Sequence, residues 1–232
     1  MREFLADAQD YLPILFQGVQ LTVLITLASL VVSTVLGLFW AVLRVSGIAV
    51  LAGFSAVMIN ILRGIPIIVQ LFYIYFVLPD FGLSLTAVQA AIIGLGIAYS
   101  AYQAENFRAG IEAVDRGQVE AALSIGMGWW MTMRRVILPQ AVKIALPPYG
   151  NIMIMMLKDS SQASTITVAE LALQGKLIAS STFKNTSVYT MVALMYLALS
   201  LPLILLVRHL EAKGRHRLSS SRMCTSITAR WK

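Results

Sequence analysis

Charge is scarce in this 232-residue chain. Only 12% of its residues are Asp, Glu, Lys or Arg, 58% are hydrophobic, and the mean hydropathy is +0.78. A soluble domain carries about a quarter charged residues, so a large aqueous domain is excluded and an all-α polytopic membrane protein is expected. Cysteine is missing except for Cys224, and histidine except for His209 and His216, all three near the C-terminus. An internal disulfide is therefore impossible, and no Cys/His cluster offers a metal site. No GxxxxGK(S/T) loop is present, so no phosphate cradle is expected in this chain. The first residues, MREFLADAQDYLPILF, are acidic and lack the basic start of a cleavable signal. The net charge of +7 does not point to nucleic acid. Much of it comes from Arg208, Lys213, Arg215, Arg217, Arg222, Arg230 and Lys232, which read as a cytoplasmic flank under the positive-inside rule.

What is present is apolar sequence in lengths of about 20 residues, enough to cross a bilayer. The spacing predicts five spans, near 18–43, 54–78, 87–107, 140–163 and 187–207. Residues 1–17 read as an external N-terminal segment and 18–212 as the membrane domain. Residues 213–232 read as a basic, disordered cytoplasmic tail. With that tail inside, five spans place the N-terminus outside, and the segment 160–185 falls outside too. Its Lys176 and Lys184, with Lys158, are a mild exception to the charge rule; it either re-enters the membrane or lies on it.

A polar insert at about 108–143 separates the third and fourth spans. Asp115 and Gln118 have capping-box spacing, which predicts a helix from Arg116 to Ile125. Gly126 is placed to end it in a left-handed turn. The stretch WWMTMRRV can start a second short helix, and Pro139 marks the entry to the next span. Ala121 and Ala122 would give the first helix a low-relief docking face. Composition alone leaves two readings: a hairpin lying on the inner leaflet, with Arg134 and Arg135 at anionic headgroups, or a docking site for a soluble partner.

The order Glu120-Ala121-Ala122, three residues, Gly126, nine residues, Val136, one residue, Leu138-Pro139 resembles the EAA motif of permease subunits of ABC importers. Val136 replaces the usual isoleucine. RGIPIIVQLFYIYFVLP, AYQAENFRAGI and LPQAVKIALPPYGNIMIMMLKDSS resemble the polar amino-acid subfamily, which usually has five spans. The resemblance covers about residues 15–212 and leaves out the tail. It implies that the insert forms coupling helices seated in a cytoplasmic ATPase subunit. Glu120, Ala121, Ala122, Gly126, Leu138 and Pro139 would be the coupling residues. It also implies a second permease subunit, identical or sister, and an extracytoplasmic solute-binding protein that delivers a polar amino acid. ATP and Mg would be used by the partner ATPase, with no cofactor on this chain.

Transporter sites favour broken helices near the midplane. Gly64 and Pro66 interrupt the second span; Pro147, Pro148 and Gly150 are expected to interrupt the fourth. Gln70, Tyr99 and Asn151 fall near mid-depth. Glu105, with Arg108, lies near the inner end of the third span; Lys158 and Asp159 lie near the outer end of the fourth. A zwitterionic amino acid needs a cation, which Arg63 or Lys158 can supply, and an acceptor, which Glu105 or Asp159 can supply. The alternative is that Lys158–Asp159 and Glu105–Arg108 are interfacial anchors or internal pairs. A channel or secondary transporter without an ATPase would need a filter or ion-coupling constellation, and none is visible. A membrane enzyme would need a catalytic cluster inside the spans, where no histidine occurs.

Overall fold

From Tyr11 to Leu43 the chain offers no charge and no breaker except Pro13, and its hydroxyls can be satisfied locally. In the computed structural model this stretch lies in one helix, α1 (Arg2–Val45). Thr26 donates to the carbonyl of Thr22 (2.7 Å), and Thr34 to that of Leu30 (2.6 Å). Such back-bonding lets polar residues sit in an apolar helix without an orphaned group. The structure describes residues 2–228, with side chains at Phe4, 7–209 and 211–212. At 44 residues α1 is about 66 Å long, roughly twice the hydrocarbon thickness. No interruption therefore separates residues 2–17 from the first span.

The remaining helices are α2 (Ala49–Gly64), α3 (Ile67–Phe72), α4 (Ala87–Glu112), α5 (Arg116–Ser124), α6 (Trp129–Thr132), α7 (Leu138–Asp159), α8 (Leu171–Thr182) and α9 (Asn185–Thr228). Tyr73–Val77 and Met133–Ile137 are π-helical, Leu78–Phe81 and Ser160–Ile166 are 3₁₀, and no strand occurs among the described residues. Helix α9 enters the basic tail; the tail side chains from 213 on, Cys224 and His216 included, and residues 229–232 altogether lie outside the described residues. By length and composition two helices can cross a membrane, over Asp7–Val45 and Asn185–His209. A third crossing is added if the bent pair α2 and Ile67–Phe81 counts as one. Helices α4 and α7, at 26 and 22 residues, have the length but a more polar composition.

Of the two expected breaks, one is present and one is not. The second span is interrupted at Gly64–Pro66, as expected: the axis turns by 97° between Ala49–Gly64 and Ile67–Phe81. Pro66 has no N–H for the carbonyl of Leu62 and disfavours helix at Ile65, whose ψ is 127°. The fourth span, expected to break at Pro147-Pro148, is unbroken: both prolines lie inside α7.

The chain forms two units. The first contains residues up to Glu105 and Ile152–Leu201; the second contains Asn106–Asn151 and the chain from Pro202 on. The core of the first unit joins α1, α8 and the start of α9 through Leu15, Leu171, Ile178, Ala179, Val188, Met191 and Val192. Gly18 makes this possible, since a β-carbon there would lie 2.8 Å from Cα of Leu171. Beside it Glu170 is fully buried. Its carboxylate caps α8 by accepting from the N–H groups of Ala172 and Leu173 (both 2.9 Å). It also accepts from the hydroxyls of Tyr196 (2.7 Å) and Thr22 (3.4 Å), and Thr22 Oγ1 accepts from the Leu171 N–H (3.2 Å). The segment 160–185 is thus a packed part of this unit. At its end Lys184 pairs with Asp7 of α1 (2.5 Å).

Glu170→Gln is expected to point an amide N–H₂ at donors and orphan at least one, at a cost of about 1–3 kcal/mol. The melting temperature of the detergent-solubilised protein should fall by several degrees; an unchanged melting temperature would show that this node does not hold the unit together.

Candidate functional site

Within the first unit, four side chains from three helices form a continuous row. The guanidinium of Arg63, in the last turn of α2, lies 5.5 Å from the ring centre of Tyr102. Tyr102 and Tyr99 of α4 have ring centres 5.8 Å apart. The Tyr99 hydroxyl donates to Oδ2 of Asp159, the last residue of α7, at 2.6 Å. Tyr99 is 1% exposed, whereas Arg63 is exposed and Asp159 half-buried. The row therefore has a cation at one end, a carboxylate at the other, and aromatic faces between them. Tyr99 occupies one oxygen of Asp159.

Of the expected substrate-path residues, Arg63, Tyr99 and Asp159 are brought together this way. Lys158 is exposed next to Asp159, and Glu105 is half-buried on α4. Gln70 is used differently. Its buried Nε2 donates to the carbonyls of Leu62 (2.8 Å) and Ile65 (2.9 Å). The first of these is the acceptor that Pro66 cannot serve, so Gln70 staples the break. In the second unit Asn151 is exposed on α7, and Arg108 pairs with Glu112 at 2.6 Å. Tyr102 and Glu170 were not singled out by the sequence reading. Glu170 had one signal, an isolated acid in an uncharged run directly before LALQ.

The insert lies wholly in the second unit. Asp115 caps α5 by accepting from the N–H of Gly117 (2.7 Å). Gly126 has φ +79°. Its N–H bonds the carbonyl of Leu123 (2.9 Å), and that of Met127 bonds the carbonyl of Ala122 (3.1 Å). This is the Schellman pattern that ends a helix at a left-handed residue. Glu120, Ala121 and Gly126 are exposed. Ala122 is not part of the surface: it is 4% exposed. The exposed relief instead comes from Leu123, Ile125, Trp129 and Trp130, the last at 70%. The chain does not restart at Pro139. Helix α6 passes through the π turn 133–137 into α7, and the N–H of Leu138 bonds the carbonyl of Met133. The wider turn accommodates Pro139, which has no N–H and would crowd the carbonyl four residues back. Leu138 and Pro139 are both exposed.

The pattern of the family described as binding-protein-dependent transport system inner membrane component matches residues 12–216. The chain is 40% identical over 209 residues to the "Probable amino-acid ABC transporter permease protein YckA" of Bacillus subtilis, covering 90% of this chain and 92% of that one. It is 36% identical over 204 residues to the glutamine transport system permease protein GlnP of Escherichia coli, covering 87% and 93%. A crystal structure of an amino acid ABC transporter with histidines contains a similar chain: TM-score 0.85, 38% identity, 90% of this chain and 98% of that one.

Gln70→Leu is expected to leave the Leu62 carbonyl unserved and to cost about 1–3 kcal/mol, read as a lowered melting temperature. A residue that only touched substrate would change uptake and leave the melting temperature alone.

Proposed function

The chain belongs to the family of binding-protein-dependent transport system inner membrane components, and from that premise we propose how it works as a permease for polar amino acids. It is an inner-membrane transport subunit, not itself an enzyme. Five crossings carry the path: α1, the bent pair α2–α3, α4, α7 and α9. The N-terminus and the segment 160–185 lie outside; the insert and the C-terminus lie in the cytoplasm. The ion pair between Asp7 and Lys184 supports this arrangement, because five crossings put both residues on the same side.

The observation that carries the proposal is the insert. It presents a capped helix, a glycine turn and exposed Leu123, Ile125, Trp129 and Trp130. In water such a patch calls for a protein partner. We assign that partner as a cytoplasmic ATPase, which uses ATP and Mg and is engaged by Glu120, Ala121 and the turn at Gly126. Ala122 supports the turn from inside, through its carbonyl. A short helix with both ends fixed transmits rigid-body motion into α7 through Leu138 and Pro139. A second permease chain, identical or sister, completes the membrane path, and an extracytoplasmic binding protein delivers substrate.

For the substrate, Arg63 receives the carboxylate and Asp159 the ammonium group, with Tyr99 orienting Asp159. Lys158 is a second cation available to the substrate carboxylate. Glu105 lines the path on α4. The relatives named for amino acids agree with a zwitterionic cargo.

Gly126→Asp is expected to reduce ATPase co-purification and to lower ATP-driven uptake by at least tenfold, with the permease still folded. Intact association together with intact uptake would end the coupling assignment. Arg63→Gln and Asp159→Asn should each lower uptake at least tenfold while ATPase association is kept, and Lys158→Ala should lower it less. Unchanged uptake in either of the first two removes that residue from the path.

A further inference from the structure

Arg134 and Arg135 are not accounted for by the coupling reading. Both are exposed, and among the described residues neither makes an ion pair or hydrogen bond. They sit in the π turn directly before α7. Helix α7 is 22 residues long, about 33 Å, which matches a hydrocarbon core of about 30 Å. Lys158 lies in its last turn. From the arginine end an exposed apolar stripe climbs the helix at Leu138, Val142 and Leu146, with Val142 60% exposed. The adjoining face of the same helix, at Ala141 and Ala145, is buried. From Arg135 to Leu146 is about 16 Å of rise, close to half of the roughly 30 Å core. The stripe is thus about as deep as one leaflet.

We propose that Arg134 and Arg135 hold the phosphate headgroup of an anionic phospholipid whose acyl chain lies along Leu138, Val142 and Leu146. Guanidinium groups match phosphate with paired donors. Lys143, exposed on the same helix, can reach back along its stem to the headgroup layer. An acidic protein surface would satisfy the arginines but leave the one-leaflet stripe unexplained, so the lipid is the occupant we assign. The assignment requires that α7 spans the membrane and is independent of which ATPase residues meet the insert.

The test uses the full chain with its partner subunits, in nanodiscs of phosphatidylcholine containing 0–50% phosphatidylglycerol. Retained lipid is read by native mass spectrometry after mild detergent extraction. The wild type should retain phosphatidylglycerol at least threefold over its share of the bilayer. The double variant R134Q/R135Q should lose this preference, while R134K/R135K keeps most of it, and ATPase co-purification should stay unchanged in both. Equal retention by the wild type and the double glutamine variant overturns the proposal. So does loss of the ATPase with retention unchanged, which would assign the arginines to a protein partner. If the glutamine variant does not fold, the wild type decides: retention in proportion to bilayer composition overturns the site.

Discussion

A carboxylate with no exposed surface is the constraint on which the first unit depends. Among the described residues Glu170 makes no ion pair to offset its burial; it is answered by two backbone N–H groups and two hydroxyls. Those donors belong to α8, α9 and α1, so satisfying one side chain fixes the relation of three helices. The cost of leaving any of these donors unmet in an apolar surround is what makes the arrangement specific. The neighbouring close approach at Gly18 and the core of Leu15, Leu171 and Val188 follow from the same placement. The left-handed turn at Thr167, φ 67°, brings the chain from Ser160–Ile166 to the cap residue. Here strain of about 1 kcal/mol is tolerated in a residue with a β-carbon.

Proline has three different outcomes along the chain. At Pro66 the helix breaks and turns, and the side chain of Gln70 serves the carbonyl of Leu62. At Pro79 and Pro139 the preceding turn widens to a π turn, closed by Leu78 to Tyr73 and by Leu138 to Met133. Both sites read Leu-Pro after an apolar pair, and neither breaks the path of the chain before the proline. At Pro147 and Pro148 the helix continues.

The insert is local in a way the rest is not. Its cap at Asp115 and its turn at Gly126 are built from residues within a few positions of one another, and the exposed face is set by helical period. That is why the capping and glycine signals were readable in advance, while the inward orientation of Ala122 was not. The two alanines are neighbours in sequence, so they point about 100° apart on a helix, and only packing decides which is covered.

The sequence by itself determined the membrane class, the cap and turn of the insert, and the family. These rest on composition, on apolar run length and on short-range backbone chemistry, all of which act over a few residues. Tertiary structure alone decided that the fourth span stays helical and that Arg63, Tyr102, Tyr99 and Asp159 lie in one row. It also decided that Glu170 is buried at the junction of three helices. The row and the Glu170 node depend on partners tens of residues away. A hydrogen bond such as that from Tyr99 to Asp159 leaves no periodic trace in the chain, because its two ends are brought together only when the helices pack.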